Sequence, residues 1–121
     1  MLTMNCPKIP RSKAKDTMNR TKSTGNEHAF IVCGDGHDTD ILEGDESSLD
    51  IEELEGVCRR RDADDGMIVF HTHPNGIKRL SHADKRVAAR DDVDTVCVGD
   101  PEGEFMCRTD RKCKGSVRND D

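Results

Sequence analysis

The stretch Met67–Asp84, MIVFHTHPNGIKRLSHAD, decides how the chain is read. Its first four residues are apolar and β-branched in the middle, which predicts a buried strand leading into His71. Side chains on a strand alternate between faces, so His71 and His73 share one face and Thr72 takes the other. Pro74 ends the strand, because it lacks the N–H that a ladder needs. Asn75-Gly76 turns the chain back. Ser81 then opens a helix over Ser81–Arg90, with Ala83, Val87 and Ala88 expected to face inward. Asp84 lies in the first turn of that helix, close to where the strand stopped. Ser81-x-x-Asp84 is at once a capping box and the place where a carboxylate returns to two imidazoles. Two imidazoles, one carboxylate and a position left for water form the open tetrahedral arrangement of catalytic zinc.

Outward from this stretch, the blocks of charge organise the chain. Residues 8–22 carry Lys8, Arg11, Lys13, Lys15, Arg20 and Lys22 against Asp16, with Ile9, Ala14 and Met18 as the apolar points. This predicts a weakly amphipathic helix or a basic, solvated arm. Ala29–Cys33 reads as a short buried strand ended by Gly34 and Gly36. Residues 35–55 hold ten Asp and Glu and no Lys or Arg, with room for an edge strand around Ile41 and Leu42. A helix is expected from Asp50, where Asp50 and Glu53 fit a capping box and Ile51, Leu54 and Cys58 follow at helical spacing. Residues 93–108 give two strands around the turn Gly99-Asp100-Pro101-Glu102-Gly103, a hairpin. The tail from Thr109 is polar and expected to fray. The order of elements implies an α/β fold with a single mixed β-sheet flanked by helices.

Composition narrows the classes. The 121 residues suit one domain, with a thin core: 32% hydrophobic, three Phe, no Trp and no Tyr. A net charge of -6 argues against a dedicated nucleic-acid binder, which is normally basic. No apolar run approaches the roughly 18 residues that span a membrane, and the first residues form no signal sequence. A cytoplasmic protein is therefore expected, with Cys6, Cys33, Cys58, Cys97, Cys107 and Cys113 as reduced thiols. The absence of a Cys-x-x-Cys pair argues against a thiolate zinc knuckle.

The pattern His71-x-His73, seven residues, Ser81, two residues, Asp84 resembles the motif of the JAMM (MPN+, JAB domain) zinc metalloproteases, and matches it at every fixed position. The family also has an upstream glutamate before an apolar run and a glycine. Here Glu27, then Phe30-Ile31-Val32-Cys33 and Gly34, resemble that element. Thr72 stands where Ser is frequent, and Phe30 where Gly is frequent. The likeness spans roughly residues 8–108, leaving 1–7 and 109–121 as tails, and suits a compact prokaryotic or viral version.

The resemblance implies a JAB/MPN fold, similar to cytidine deaminases. It implies one Zn²⁺ held by His71, His73 and Asp84, with Glu27 as general base and acid and Ser81 as a donor to the oxyanion. It also implies an isopeptidase that cleaves after the C-terminal glycine of a ubiquitin-like modifier. Glu43, Glu46, Glu52 and Glu53 are the other upstream acids, but only Glu27 adjoins a buried strand. His28, His37 and His82 are expected at the surface, and Cys33 in the core. Two other readings stay open. His-Thr-His-Pro-Asn-Gly also resembles the signature of RadC-type domains, linked to DNA transactions, although their later Asp-His element is missing here. Non-catalytic MPN scaffolds share the fold but lack the ligands that this chain keeps.

Overall fold

The computed structural model describes residues 9–77 and 79–108 and the backbone of 112–116. The described chain runs α1 (Arg11–Thr24), β1 (His28–Val32), β2 (Leu42–Glu43), α2 (Glu52–Arg60), β3 (Met67–Thr72), α3 (His82–Ala88), β4 (Val93–Gly99), β5 (Glu104–Arg108) and β6 (Lys112–Ser116). The strands form one mixed sheet in the order β2-β1-β3-β4-β5-β6. β3 and β4 are parallel, so the chain must cross over between them, and α3 is the crossover. All other neighbours are antiparallel. The expected α/β class, with a single mixed sheet flanked by helices, is what forms.

Strand alternation divides the core between the two faces. Ala29, Ile31, Met67, Val69 and Val96 pack with Leu54 and Cys58 of α2 on one side. Phe30, Phe70 and Cys97 pack with Ala14 and Met18 of α1 on the other. Every residue of β1 is buried as a result. The ring of Phe70 stacks on Phe30 and meets Phe105 edge-on, which concentrates the few aromatics under α1. Gly99 lets α1 come this close: a Cβ there would stand 2.8 Å from Met18 Sδ and 3.0 Å from Phe70 Cζ.

Several expectations are corrected. Of the two readings of residues 8–22, the weakly amphipathic helix forms, as α1, and the solvated arm does not; beyond the expected Ala14 and Met18 it also buries Thr17 and Thr21, which extend its narrow apolar face. The helix expected from Asp50 begins at Glu52 without a capping box. Asp50 Oδ1 accepts the Glu52 N–H at 3.0 Å, while Ile51 holds the cap position with no side-chain bond. α3 stops at Ala88 and buries no residue; Val87 and Ala88 are only half-covered, and Ala83 is exposed. The tail expected to fray supplies β6, whose backbone pairs with β5. The remaining residues of that tail, and the N-terminal tail 1–7 with Cys6, lie outside the described residues.

The cysteines are corrected too. Cys33 is joined to Cys58, and Cys97 to Cys107, so four thiols expected to be reduced are two disulfides. The first ties the end of β1 to α2, and the second joins paired residues of β4 and β5. No helix among the described residues is long and apolar enough to cross a membrane.

Candidate metal centre

β3 delivers His71 onto the face shared with α2 and α3, beside the buried Val69. The strand ends at Thr72, and His73 follows on the same side, its ring centroid 4.9 Å from that of His71. The His73 N–H still bonds the Gly99 carbonyl of β4 at 2.9 Å, which keeps the second histidine in line. The chain then reverses: the Gly76 N–H donates to the His73 carbonyl at 3.1 Å, and Gly76 has φ 80°.

α3 brings the carboxylate back. Ser81 is its N-cap, and both bonds of the capping box are present. Ser81 Oγ accepts from the Asp84 N–H at 3.1 Å, and Asp84 Oδ2 accepts from the Ser81 N–H at 2.8 Å. The same carboxylate faces both imidazoles, with Oδ1 2.9 Å from His71 Nε2 and Oδ2 3.3 Å from His73 Nε2. One potential ligand atom from each of the three residues lies within 4.8 Å of the others, and this group could hold a metal ion.

The hydrogen bonding of the histidines tests that fit. A carbonyl oxygen can only accept, so the 2.9 Å contact between His73 Nδ1 and the Ile77 carbonyl assigns the proton to Nδ1. That leaves the Nε2 lone pair aimed at a carboxylate, the orientation a metal-ligating histidine needs. His71 Nε2 is buried and, although 2.9 Å from Asp84 Oδ1, has no properly aligned hydrogen-bond partner. A buried nitrogen seldom goes without one. Acceptor atoms converging in this way need positive charge among them, from a proton or a cation. The protonation equilibria of the ion-free site agree. Burial opposes ionisation of Asp84, yet the adjacent His71 and His73 imidazoles and the Ser81 N–H hold its carboxyl far below the usual range. Burial likewise disfavours the His73 cation, but the Asp84 carboxylate and the Ile77 carbonyl raise its pKa.

Glu27 precedes β1 and lines the same cleft of about 480 Å³ as His71 and His73. Its backbone is fixed on both sides, the N–H to the Asp45 carbonyl at 2.7 Å and the carbonyl to the Gly44 N–H at 2.8 Å. Burial pushes its carboxyl above the usual range; His71 and His73 pull it down, and Asp84 and Asp45 add to the rise. The net rise favours the protonated carboxyl more than in an ordinary exposed glutamate. Of the other upstream acids, Glu46 lines the cleft, whereas Glu43, Glu52 and Glu53 lie outside it.

The remaining candidates separate clearly. His37 and His82 are exposed, as expected. His28, expected at the surface, is 2% exposed and faces α1, with Nδ1 3.0 Å from Thr21 Oγ1. Cys33 lies in the core, bonded to Cys58. The sequence did not point to Ser47, Ser48 and Leu49, which form a wall of the cleft, or to Ile77, the one exposed large hydrophobic among the described residues. Short polar runs and a single Ile after Gly carry no signal until the turn geometry is known. No protein-family model and no curated protein matches this chain.

Proposed function

We propose that this protein is a zinc-dependent metalloprotease of the JAMM type, an isopeptidase acting on the C-terminal glycine of a ubiquitin-like modifier. The observation that carries the reading is the convergence of His71, His73 and Asp84 on one point, beneath a cleft that also holds Glu27. His71, His73 and Asp84 would hold the ion, leaving the cleft side open to water and substrate. Bound there, Zn²⁺ would lower the pKa of water from about 16 toward about 7 and polarise a carbonyl.

The chain's own groups supply the rest. Glu27, its carboxyl raised by burial, accepts the proton of the attacking water and returns it to the leaving amine. Ser81 uses its oxygen lone pair to accept the Asp84 N–H, which leaves its hydroxyl proton free to donate to a developing oxyanion. A donor of that kind contributes on the order of 3 kcal/mol to transition-state stabilisation. The short β2 edge beside Glu27 offers unpaired main-chain groups to an extended tail, so the substrate backbone adds as a further strand.

The cytoplasmic location expected from the sequence conflicts with the two disulfides, since such bonds are rare in a reducing cytosol. An oxidising compartment suits this chain better, and alkylation of its thiols in fresh cell extract tests that directly. The activity is tested by incubating the protein with conjugates of ubiquitin-like proteins, with and without a chelator. Chelator-sensitive release of the free modifier, lost in Glu27→Gln with zinc content unchanged, is the expected result. Intact conjugates with zinc-loaded protein would refute the isopeptidase reading. Unchanged zinc content in both His71→Ala and Asp84→Ala would refute the site itself.

A further inference from the structure

On the side of the sheet away from the candidate metal centre, three buried polar side chains meet: Thr21 of α1, His28 of β1 and Thr72 of β3. We propose that Thr72, held by Thr21 and His28, is a positioning residue that fixes the strand end bearing His71 and His73 to the strand start following Glu27. This rests on the metal-site reading and assigns the site a support that the ligand motif does not contain.

Pairing between β1 and β3 runs from Val32↔Ile68 to Ala29↔His71 and then stops. One step further, the His28 N–H donates to Thr72 Oγ1 at 2.9 Å, so a side chain continues the attachment where the backbone register ends. Thr72 Oγ1 also lies 3.3 Å from the His28 carbonyl and in short contact with Thr21 Oγ1. The donors and acceptors are mutually satisfied in a single assignment. His28 Nδ1 donates to the Asn26 carbonyl and to Thr21 Oγ1, each 3.0 Å away. The Thr21 hydroxyl donates to Thr72 Oγ1, and the Thr72 hydroxyl donates to the His28 carbonyl.

Thr72 is the residue between the two histidines, and His28 follows Glu27 directly. Each bond of this network therefore acts one residue away from a group in the cleft. Thr72 and His28 are the only pair, among the described contacts, that joins the two strand ends past Ala29 and His71, through both the His28 N–H and its carbonyl. Valine at 72 keeps the β-branched shape and removes the hydroxyl, leaving the His28 N–H and the Thr21 hydroxyl buried without their partner.

The test measures Zn²⁺ affinity of the full chain by chelator competition, and the visible spectrum of the Co²⁺-substituted protein, at a temperature where far-UV circular dichroism shows the fold intact. Thr72→Val is expected to weaken Zn²⁺ binding about tenfold and to change the Co²⁺ bands, as loss of a group that orients ligands does. Thr72→Ser, which retains the hydroxyl, should restore both. A purely structural role lowers the melting temperature of Thr72→Val but moves neither affinity nor spectrum of the folded protein, and that result overturns the proposal. If Thr72→Val does not fold, Thr21→Val decides, with weaker binding expected and unchanged binding overturning it. Wild-type protein that binds no Zn²⁺ removes the metal reading and this inference together, whereas equal binding by wild type and variants removes this inference alone.

Discussion

Removing the disulfides one at a time should destabilise the protein more for the longer of the two loops they close, by an amount that grows only with the logarithm of loop length. Cys33–Cys58 closes 25 residues of separation and Cys97–Cys107 closes 10. The loop-entropy relation then gives about 3.5 kcal/mol for the first and about 2.7 kcal/mol for the second. For 121 residues the unfolding entropy near the midpoint is roughly 0.25 kcal/mol/K, so the double variants Cys33→Ala/Cys58→Ala and Cys97→Ala/Cys107→Ala should melt about 14 and about 11 °C lower. The two loops do not overlap in sequence, and their effects should add. The assay is thermal unfolding by circular dichroism, with peptide mapping after alkylation of the native protein to establish which of the four cysteines are bonded. Full alkylation of these cysteines without reductant would refute the pairing. A loss below about 1 kcal/mol in the first double variant would refute the entropic argument even with the bond confirmed.

Three further perturbations probe the site and its frame. Metal affinity should depend on pH through His73, whose pKa is raised: protonation competes with the ion, so affinity falls about tenfold per unit as pH drops below that pKa. The ion-free protein has the opposite slope, since a raised His pKa contributes stability that is fully present below about 6.5 and is lost as pH rises through the folded value. Calorimetry in two buffers of different ionisation heat, with thermal melts of the chelated protein, measures both, and parallel slopes would be inconsistent with the assignment. Ser81→Ala should cost about 1 kcal/mol by denaturant unfolding, because the Asp84 N–H loses its cap, and Ser81→Asn should recover most of it. Gly99→Ala should cost about 1–3 kcal/mol from the contacts of its new methyl with Met18 and Phe70, and adding Met18→Ala should cost less than it does in the parent chain.

What could be read in advance, and what could not, follows the range of the interactions. The strand before His71, the turn at Asn75-Gly76 and the cap at Ser81 are set by neighbours within a few residues, so spacing alone predicted their arrangement. Glu27 was legible only through a family resemblance, since nothing local links it to histidines 44 residues later. His28 appeared to be a surface residue because its partner, Thr72, is just as distant. Thr17 and Thr21 count as polar in any periodicity, yet α1 buries both: Thr17 bonds the Lys13 carbonyl at 2.6 Å and Thr21 meets His28. The cysteine pairs depend on strand register and on where α2 lands, neither of which Cys spacing encodes. The Asp50 cap shows the reverse error: the motif was present, but Ile51 took the cap position while Asp50 stayed in the loop before the helix.

Asp84 shows why a structural motif and a metal motif need not compete for the same residue. An ionised carboxylate has about four acceptor sites, and the Ser81 N–H uses one of them on Oδ2. That bond, together with the helix start that fixes the Asp84 backbone, holds the carboxylate in the orientation that faces His71 and His73. The cap thereby removes rotamer freedom that a ligand on a looser segment would have to give up on binding. It also places the negative group at the N-terminal end of α3, where it is favoured electrostatically without an ion. The capping box is thus part of how a candidate metal ligand is presented, and a helix of only seven residues that buries none of its own side chains gains a reason to start where it does.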